Sequence, residues 1–218
     1  MSMSSMTGAV RRAGAGSTGL ALAAMTRATA LLRPARKPLH PDGEIRSARI
    51  RRHGSEIPTG VAWLDGAGED EATVRVSRAV GLPQGWPDIH GLALRLGPDS
   101  APADLLFAST GRGRASRFLL TAGRGPQDRP MTTLLPYRTS LGPVLLGAFP
   151  SALDSYELCW ARGAGAWLSF GVLELGDPAP AREISFDPVR NRLGGLEQYP
   201  VVTRLREPSY RSARRSRT

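Results

Sequence analysis

Short runs in which apolar and polar residues alternate dominate the chain from Ile45 onward. A period of two places the apolar side chains on one face of an extended strand, so each run predicts a β-strand. The predicted strands are IRSARIRR (45–52), ATVRVSR (72–78), IHGLALRL (89–96), ADLLFAS (103–109), SRFLLTA (116–122), PVLLGAF (143–149), YELCWAR (156–162) and AWLSFGVLEL (166–175). Short strands at this spacing are typical of an antiparallel sandwich or barrel.

Turn-forming segments separate these runs. Gly163-Ala164-Gly165 stands between the last two runs and is a strong β-hairpin signal. The chain has 25 glycines and 18 prolines in 218 residues, which is high for a helical bundle. The pattern therefore predicts a mostly β domain with many short connections.

The two ends of the chain differ from this strand-rich middle. The Ala/Leu-rich run from Leu20 to Leu32 predicts a helix that ends before Pro34. The stretch from Glu197 to Arg217 predicts a last, basic helix. The predicted organisation is disorder over 1–16, an N-terminal helix over 17–36, a barrel domain over 37–176, and a connector with the basic helix over 177–218.

The composition excludes several kinds of protein. A single cysteine excludes an internal disulfide framework and a multi-cysteine zinc site. Three histidines are too few for a His-rich metal centre. The chain has no run of 18 apolar residues, so no membrane span is predicted. Arg11-Arg12 resembles a twin-arginine export signal, but no strongly apolar run follows the pair, so we predict a cytoplasmic location.

The net charge of +10 is concentrated at the two ends. Residues 1–52 carry +8 and residues 204–218 carry +5, whereas residues 53–203 carry −3. Basic ends attract phosphate-rich or acidic partners through counterion release, so an anionic partner is one hypothesis. The arginines are not interleaved with aromatic residues along the chain, so specific recognition of nucleic acid is not predicted.

Four short motifs follow one another between residue 37 and about residue 110. They are Lys37-Pro38-Leu39-His40-Pro41-Asp42-Gly43, Arg75-Val76-Ser77, Asp88-Ile89-His90-Gly91-Leu92-Ala93-Leu94-Arg95 and Asp104-Leu105-Leu106. In order and spacing, this set resembles the haem-dependent catalase superfamily. The resemblance implies an α+β, mostly β fold: a catalase-like antiparallel β-barrel with an N-terminal helix before it and a basic C-terminal helix after it.

The resemblance also implies a haem site. In catalases a histidine on the distal side of the haem moves a proton between peroxide oxygens, and His40 matches it. Ser77 would hold this histidine, and Arg75 would pair with a haem propionate. An arginine and a tyrosine four residues apart supply the proximal iron ligand in catalases, and Arg206 and Tyr210 have that spacing. Haem is therefore the cofactor that the resemblance implies, with Tyr210 as its metal ligand.

The chain departs from the catalase pattern at places that matter for catalysis. Catalases follow the D-L-x motif with glycine and two asparagines, one of which helps to bind peroxide. Here Phe107, Ala108 and Ser109 stand there, and Ala108 cannot donate a hydrogen bond. Lys37 also replaces the arginine before the histidine. We therefore predict a degenerate catalase-like barrel that binds haem or a small apolar ligand, in or beside the barrel, without catalase turnover.

A second resemblance leaves another function open. The matching stretches are Gly60–Asp65, Arg75–Pro83, Pro87–Arg95, Leu134–Thr139 and Gly142–Gly147. They resemble a group of short actinobacterial proteins that are often called phosphodiesterases. Metal-dependent phosphodiesterases need clustered histidine and aspartate ligands, and the three histidines here are scattered. Two alternatives therefore remain beside the haem protein: a phosphodiesterase, and a non-catalytic barrel whose basic ends bind an anionic partner.

Overall fold

Ten β-strands make up most of the computed structural model, which describes residues 43–81, 85–179, 184–204 and 207. The strands are β1 Glu44–Arg52, β2 Gly68–Arg78, β3 His90–Leu96, β4 Ala103–Ser109, β5 Met131–Thr132, β6 Tyr137–Thr139, β7 Gly142–Ala152, β8 Ser155–Ala161, β9 Leu168–Pro178 and β10 Glu197–Gln198. One short helix, α1 (Ala62–Asp65), and a 3-10 turn, Ser116–Phe118, lie between strands. The expectation of a mostly β protein is confirmed.

Eight of the strands close into an antiparallel barrel. The hydrogen-bonded order is β7-β5-β4-β3-β2-β1-β9-β8, and β8 pairs again with β7. Closure leaves these eight strands without a free edge, which is one way in which β proteins avoid edge-to-edge aggregation. Strand β6 pairs with the first residues of β7, and β10 pairs with β6 outside the barrel.

The barrel interior is filled with side chains. Inward-facing apolar residues alternate along each strand, and the largest that are fully buried include Trp160, Tyr156, Phe170 and Ile50. Burying one such side chain contributes roughly 1.5–3 kcal/mol. Helix α1 contributes Leu64, also fully buried, to the same core. An eight-stranded barrel is just wide enough for its side chains to fill or to hold one small ligand, and here side chains fill it.

The strand predicted over 116–122 is wrong. Residues Ser116–Phe118 form the 3-10 turn, and Leu120 makes a single bridge to Thr110. The apolar residues of this run do not alternate between a core and solvent, since Phe118 is half-buried and Leu119 is exposed. The run serves as a connection folded against the end of β4.

The chain after β9 also differs from its prediction. Glu197 and Gln198 pair with β6 as a strand, and the helix begins only at Pro200. Proline favours the first position of a helix because its missing N–H has no partner there in any case. The rest of the predicted basic helix, the segments assigned to 1–16 and 17–36, and the motif from Lys37 to Asp42 lie outside the described residues. No helix in the described ranges is long and apolar enough to cross a membrane.

Candidate functional site

Arg75 and Ser77 lie on the same outer face of the barrel. They are two residues apart on β2, so their side chains project to one side of the sheet. Val74, the residue before Arg75 on β2, belongs to the buried core. Arg75 and Ser77 lie on the opposite side of the strand, which is therefore the outside of the barrel. Both Arg75 and Ser77 are half-buried. The structure therefore places these two predicted site residues on a common surface.

Small side chains surround Ser77 on the neighbouring strands. Ser77 is paired with Gly91 on β3, and Gly91 is paired with Ala108 on β4. A β-carbon on Gly91 would lie 3.0 Å from Ser77 Oγ, so glycine at this position keeps the surface beside Ser77 free of a side chain. We call this surface the β2–β4 face. Its outward residues are Arg75, Ser77, Gly91, Ala93, Leu106 and Ala108.

The chain enters the described structure beside Arg75. A β-carbon on Gly43 would collide with the Arg75 guanidinium, so Gly43 lies directly against that side chain. Gly43 is three residues after His40 in the sequence. His40, Arg206 and Tyr210 themselves fall outside the described residues. The described residues bring Arg75 and Ser77 together, at the point where the chain arrives from His40.

Asp88 has a structural role in this fold. Its carboxylate accepts hydrogen bonds from the backbone N–H groups of Val80 at 3.0 Å, Gly81 at 2.8 Å and Ile89 at 2.7 Å. Such a carboxylate satisfies backbone donors that a turn would otherwise leave without partners. The acidic residue of the third motif thus shapes the connection between β2 and β3.

Asp104 is a structural tie between the barrel and the segment after β9. Arg95 Nε and Nη2 donate to its two carboxylate oxygens at 2.8 and 2.7 Å. The same carboxylate accepts from the Asp187 backbone N–H and from Asn191 Nδ2, each at 2.7 Å. The hydrogen bond with Asp104 raises the pKa of Arg95, against the effect of burial. Both carboxylate oxygens of the aspartate in the D-L-x motif thus accept hydrogen bonds that hold the fold together.

The two described histidines are held by the backbone. His90 is buried, and its Nε2 lies 3.0 Å from the Gly123 carbonyl oxygen, to which it donates. His53 Nδ1 lies 2.8 Å from the Gly54 carbonyl oxygen, and its Nε2 is 3.3 Å from Ser169 Oγ. Within the described ranges, no three His, Cys, Asp or Glu side chains are grouped so that they could hold a metal ion.

Two aromatic rings between two arginine side chains cover the outside of β7. The Arg112 guanidinium lies 4.7 Å from the Phe149 ring centre, and the Phe149 and Trp167 rings meet edge-on at 4.9 Å. On the other side of this pair, the Arg117 guanidinium lies 4.3 Å from the Trp167 ring centre. Trp167 Nε1 donates to the Arg112 carbonyl oxygen at 3.0 Å. We call these four residues the arginine–aromatic layer.

Arg117 is a buried cation in this layer. Its side chain donates to three carbonyl oxygens: Nε to Gly113 at 3.1 Å, and Nη1 to Gly163 at 3.2 Å and Gly165 at 2.9 Å. No carboxylate of the described chain bonds to it, and only 2% of the residue is exposed. Burial lowers the pKa of Arg117, and the charge of Arg114 lowers it further. The positive charge is thus stabilised by backbone dipoles and the Trp167 ring, and no carboxylate among the described residues pairs with it.

The sequence does not reveal this layer. In the sequence, the Gly-Arg-Gly-Arg segment 111–114 predicts a turn and matches a phosphate-cradling loop only weakly, and no aromatic residue lies among its arginines. The structure has a turn there. Phe149 and Trp167 are distant from Arg112 in the sequence, and only barrel closure through β7, β8 and β9 brings them to it. No spacing rule relates such residues, so the sequence carries no signal for the cluster.

Comparison with known proteins adds no family assignment. A scan against protein-family models finds no match, and a search of curated proteins finds no similar sequence.

Proposed function

We propose that this protein is a non-catalytic, degenerate catalase-like barrel that binds a flat, apolar, carboxylate-bearing ligand of the haem class on the β2–β4 face. The observation that carries the proposal is the common placement of Arg75 and Ser77 on an outer face that, apart from Leu106, is otherwise built from small residues. The packed interior supports the outside as the binding surface, since Tyr156, Trp160 and Phe170 already occupy the barrel.

The described residues fit such a ligand. With glycine at position 91 and alanines at 93 and 108, a planar ring can lie close to the sheet without displacing a side chain. The Arg75 guanidinium offers a planar fork to a carboxylate at the edge of the ring, and the Ser77 hydroxyl offers a hydrogen bond. If the ligand is haem, it supplies a redox-active iron, and His40, Arg206 and Tyr210 are the proposed residues on its two sides.

The β2–β4 face argues against catalase turnover. Ala108 faces outward beside Gly91, at a place where the resemblance implies an asparagine that binds peroxide. A methyl group can neither donate nor accept a hydrogen bond, so it cannot hold peroxide. Phe107, the residue before it, points into the core, and Ser109 Oγ donates to the Thr121 carbonyl oxygen at 2.6 Å. We therefore propose binding without catalysis.

Titration of the full-length protein with haemin, followed by its visible absorption, tests this proposal. Iron-free protoporphyrin is titrated in parallel, because it reports ring binding without an iron ligand. We expect saturable binding of both, weakened about tenfold by Arg75→Gln because a charge-assisted pair is lost. Arg49→Gln removes the same charge from the exposed outer side of β1 and should leave binding unchanged. Ala108→Glu, which adds bulk and negative charge to the face, should abolish binding. Absence of saturable binding, or equal loss in Arg75→Gln and Arg49→Gln, contradicts the proposal.

The described residues support one of the two alternative functions and not the other. The phosphodiesterase hypothesis gains no support from them, because their potential metal ligands are not grouped. The hypothesis of an anionic partner gains a specific observation, because the buried, carboxylate-free Arg117 lies among exposed arginines.

A further inference from the structure

The two turns that hold Arg117 place three more arginines around it. Arg112 and Arg114 flank Gly113, whose carbonyl accepts from Arg117 Nε. Arg162 precedes Gly163, whose carbonyl accepts from Arg117 Nη1. Arg112, Arg114 and Arg162 are all exposed, and within the described ranges none of them forms an ion pair. Positive charge is therefore concentrated around these two turns, although residues 53–203 together carry a net charge of −3.

No acidic side chain of the described residues forms an ion pair with these four arginines. The charge of Arg114, which has the same sign, lowers the pKa of Arg117 in addition to burial. Glu157, an outward residue of β8, raises the pKa of the Cys159 thiol whereas Arg112 lowers it, but Glu157 forms no ion pair in the described part of the chain. A buried cation without a counterion costs free energy, and an external anion would reduce that cost.

We propose that the turns 111–117 and 162–167 form a binding site for the phosphate group of a small phosphorylated ligand. Arg112, Arg114 and Arg162 contact the phosphate oxygens, and Arg117 supplies positive charge beneath them. Arginine suits this task because its planar fork matches phosphate oxygens two at a time, and a phosphate brings enough negative charge for several guanidinium groups.

The geometry favours a small ligand over single-stranded nucleic acid. Proteins that bind single strands stack successive bases on accessible aromatic rings. Here Phe149 is buried beneath Arg112, and Trp167 is stacked on Arg117 and packed against Phe149. Both rings are therefore engaged within the protein, which leaves a compact cluster of charge without a stacking platform.

Calorimetric titration of the full-length protein at constant ionic strength tests this site. The probes are inorganic phosphate, pyrophosphate, a nucleoside 5′-monophosphate and a 12-nucleotide oligothymidylate. We expect one site for phosphate, pyrophosphate or the monophosphate, weakened about tenfold by Arg112→Gln and by Arg162→Gln. Both positions are exposed, so neither change should prevent folding. Arg49→Gln, across the barrel on β1, is the charge-matched control and should have no effect.

Three results would overturn the assignment. Equal weakening by all three substitutions would show that anions bind through overall charge, as the basic ends would also do. Binding of the oligonucleotide with none of the three small probes would identify a nucleic-acid surface instead. No saturable binding of any small probe at millimolar concentration would show that Arg117 only ties the two turns together.

Discussion

Arg95 and Asp104 face each other across β3 and β4 and are joined by two hydrogen bonds of 2.8 and 2.7 Å. The Asp104 side chain is completely buried, whereas that of Arg95 is 15% exposed. Because Asp104 also accepts from Asp187 and Asn191, this one carboxylate fastens the segment after β9 to the barrel wall.

Asp104→Asn should lower the free energy of unfolding by roughly 3 kcal/mol. The substitution leaves the charge of Arg95 without its counterion in a mostly buried setting. Urea denaturation of the full-length protein measures the loss. Glu71→Gln, which breaks the exposed pair with Arg49, is the control and should have little effect, since exposed ion pairs contribute little. A loss as small for Asp104→Asn as for the control would show that the tie is not needed for stability.

Tyr156→Phe should increase stability at neutral pH by about 1 kcal/mol. Tyr156 is fully buried, and its hydroxyl has no hydrogen-bond partner among the described residues, so the substitution removes an unsatisfied polar group. Tyr199→Phe, at a half-buried tyrosine, is the control and should give no gain. A clear loss of stability in Tyr156→Phe would indicate that the hydroxyl has a partner, such as an internal water.

The free energy of unfolding at alkaline pH should also depend on Tyr156. Burial, aided by Asp154, raises the pKa of Tyr156 from its ordinary value of 10.0 to about 12. Between these values the unfolded chain loses the proton while the folded chain keeps it, so stability should fall as the pH rises from about 10 to about 12. Tyr156→Phe should lose less stability over this interval. Parallel profiles for the two proteins would contradict the burial of this hydroxyl.

Cys159 should resist alkylation in the folded protein. Burial first, and then the charge of Glu157, raise the pKa of this thiol to about 12, and the thiolate is the reactive form. We expect iodoacetamide at pH 8 to label the native protein far more slowly than the urea-unfolded protein, as mass spectrometry would measure. Equal labelling rates would show that the outer side of β8 is open to solvent.

The sequence predicted the long strands well, since strands with a buried face carry a period of two. The runs 45–52, 103–109 and 156–162 lie within one residue of β1, β4 and β8. Strands β5, β6 and β10 have only two or three residues each, which is too few for a period to be visible. The strand prediction for 116–122 is wrong for a different reason, because this run is apolar in composition but has no buried face with a period of two.

The candidate sites show the same division. Arg75 and Ser77 were predicted to act together, and their spacing on one strand is enough to place them on one face. The arginine–aromatic layer depends instead on contacts such as Arg117 with Gly163 and Trp167, which exist only once the barrel is closed. Local patterns predict what one strand presents, but they carry no information on which connections meet over its outer side.

The most direct measurement of the central claim is a map of backbone amide chemical shifts for the full-length protein during titration with iron-free protoporphyrin. Binding on the β2–β4 face predicts that the largest shifts occur at Gly91, Ala93 and Ala108, with much smaller shifts on β7 and β8. Shifts centred elsewhere on the barrel, or a spectrum that the ligand leaves unchanged, would contradict the proposed function.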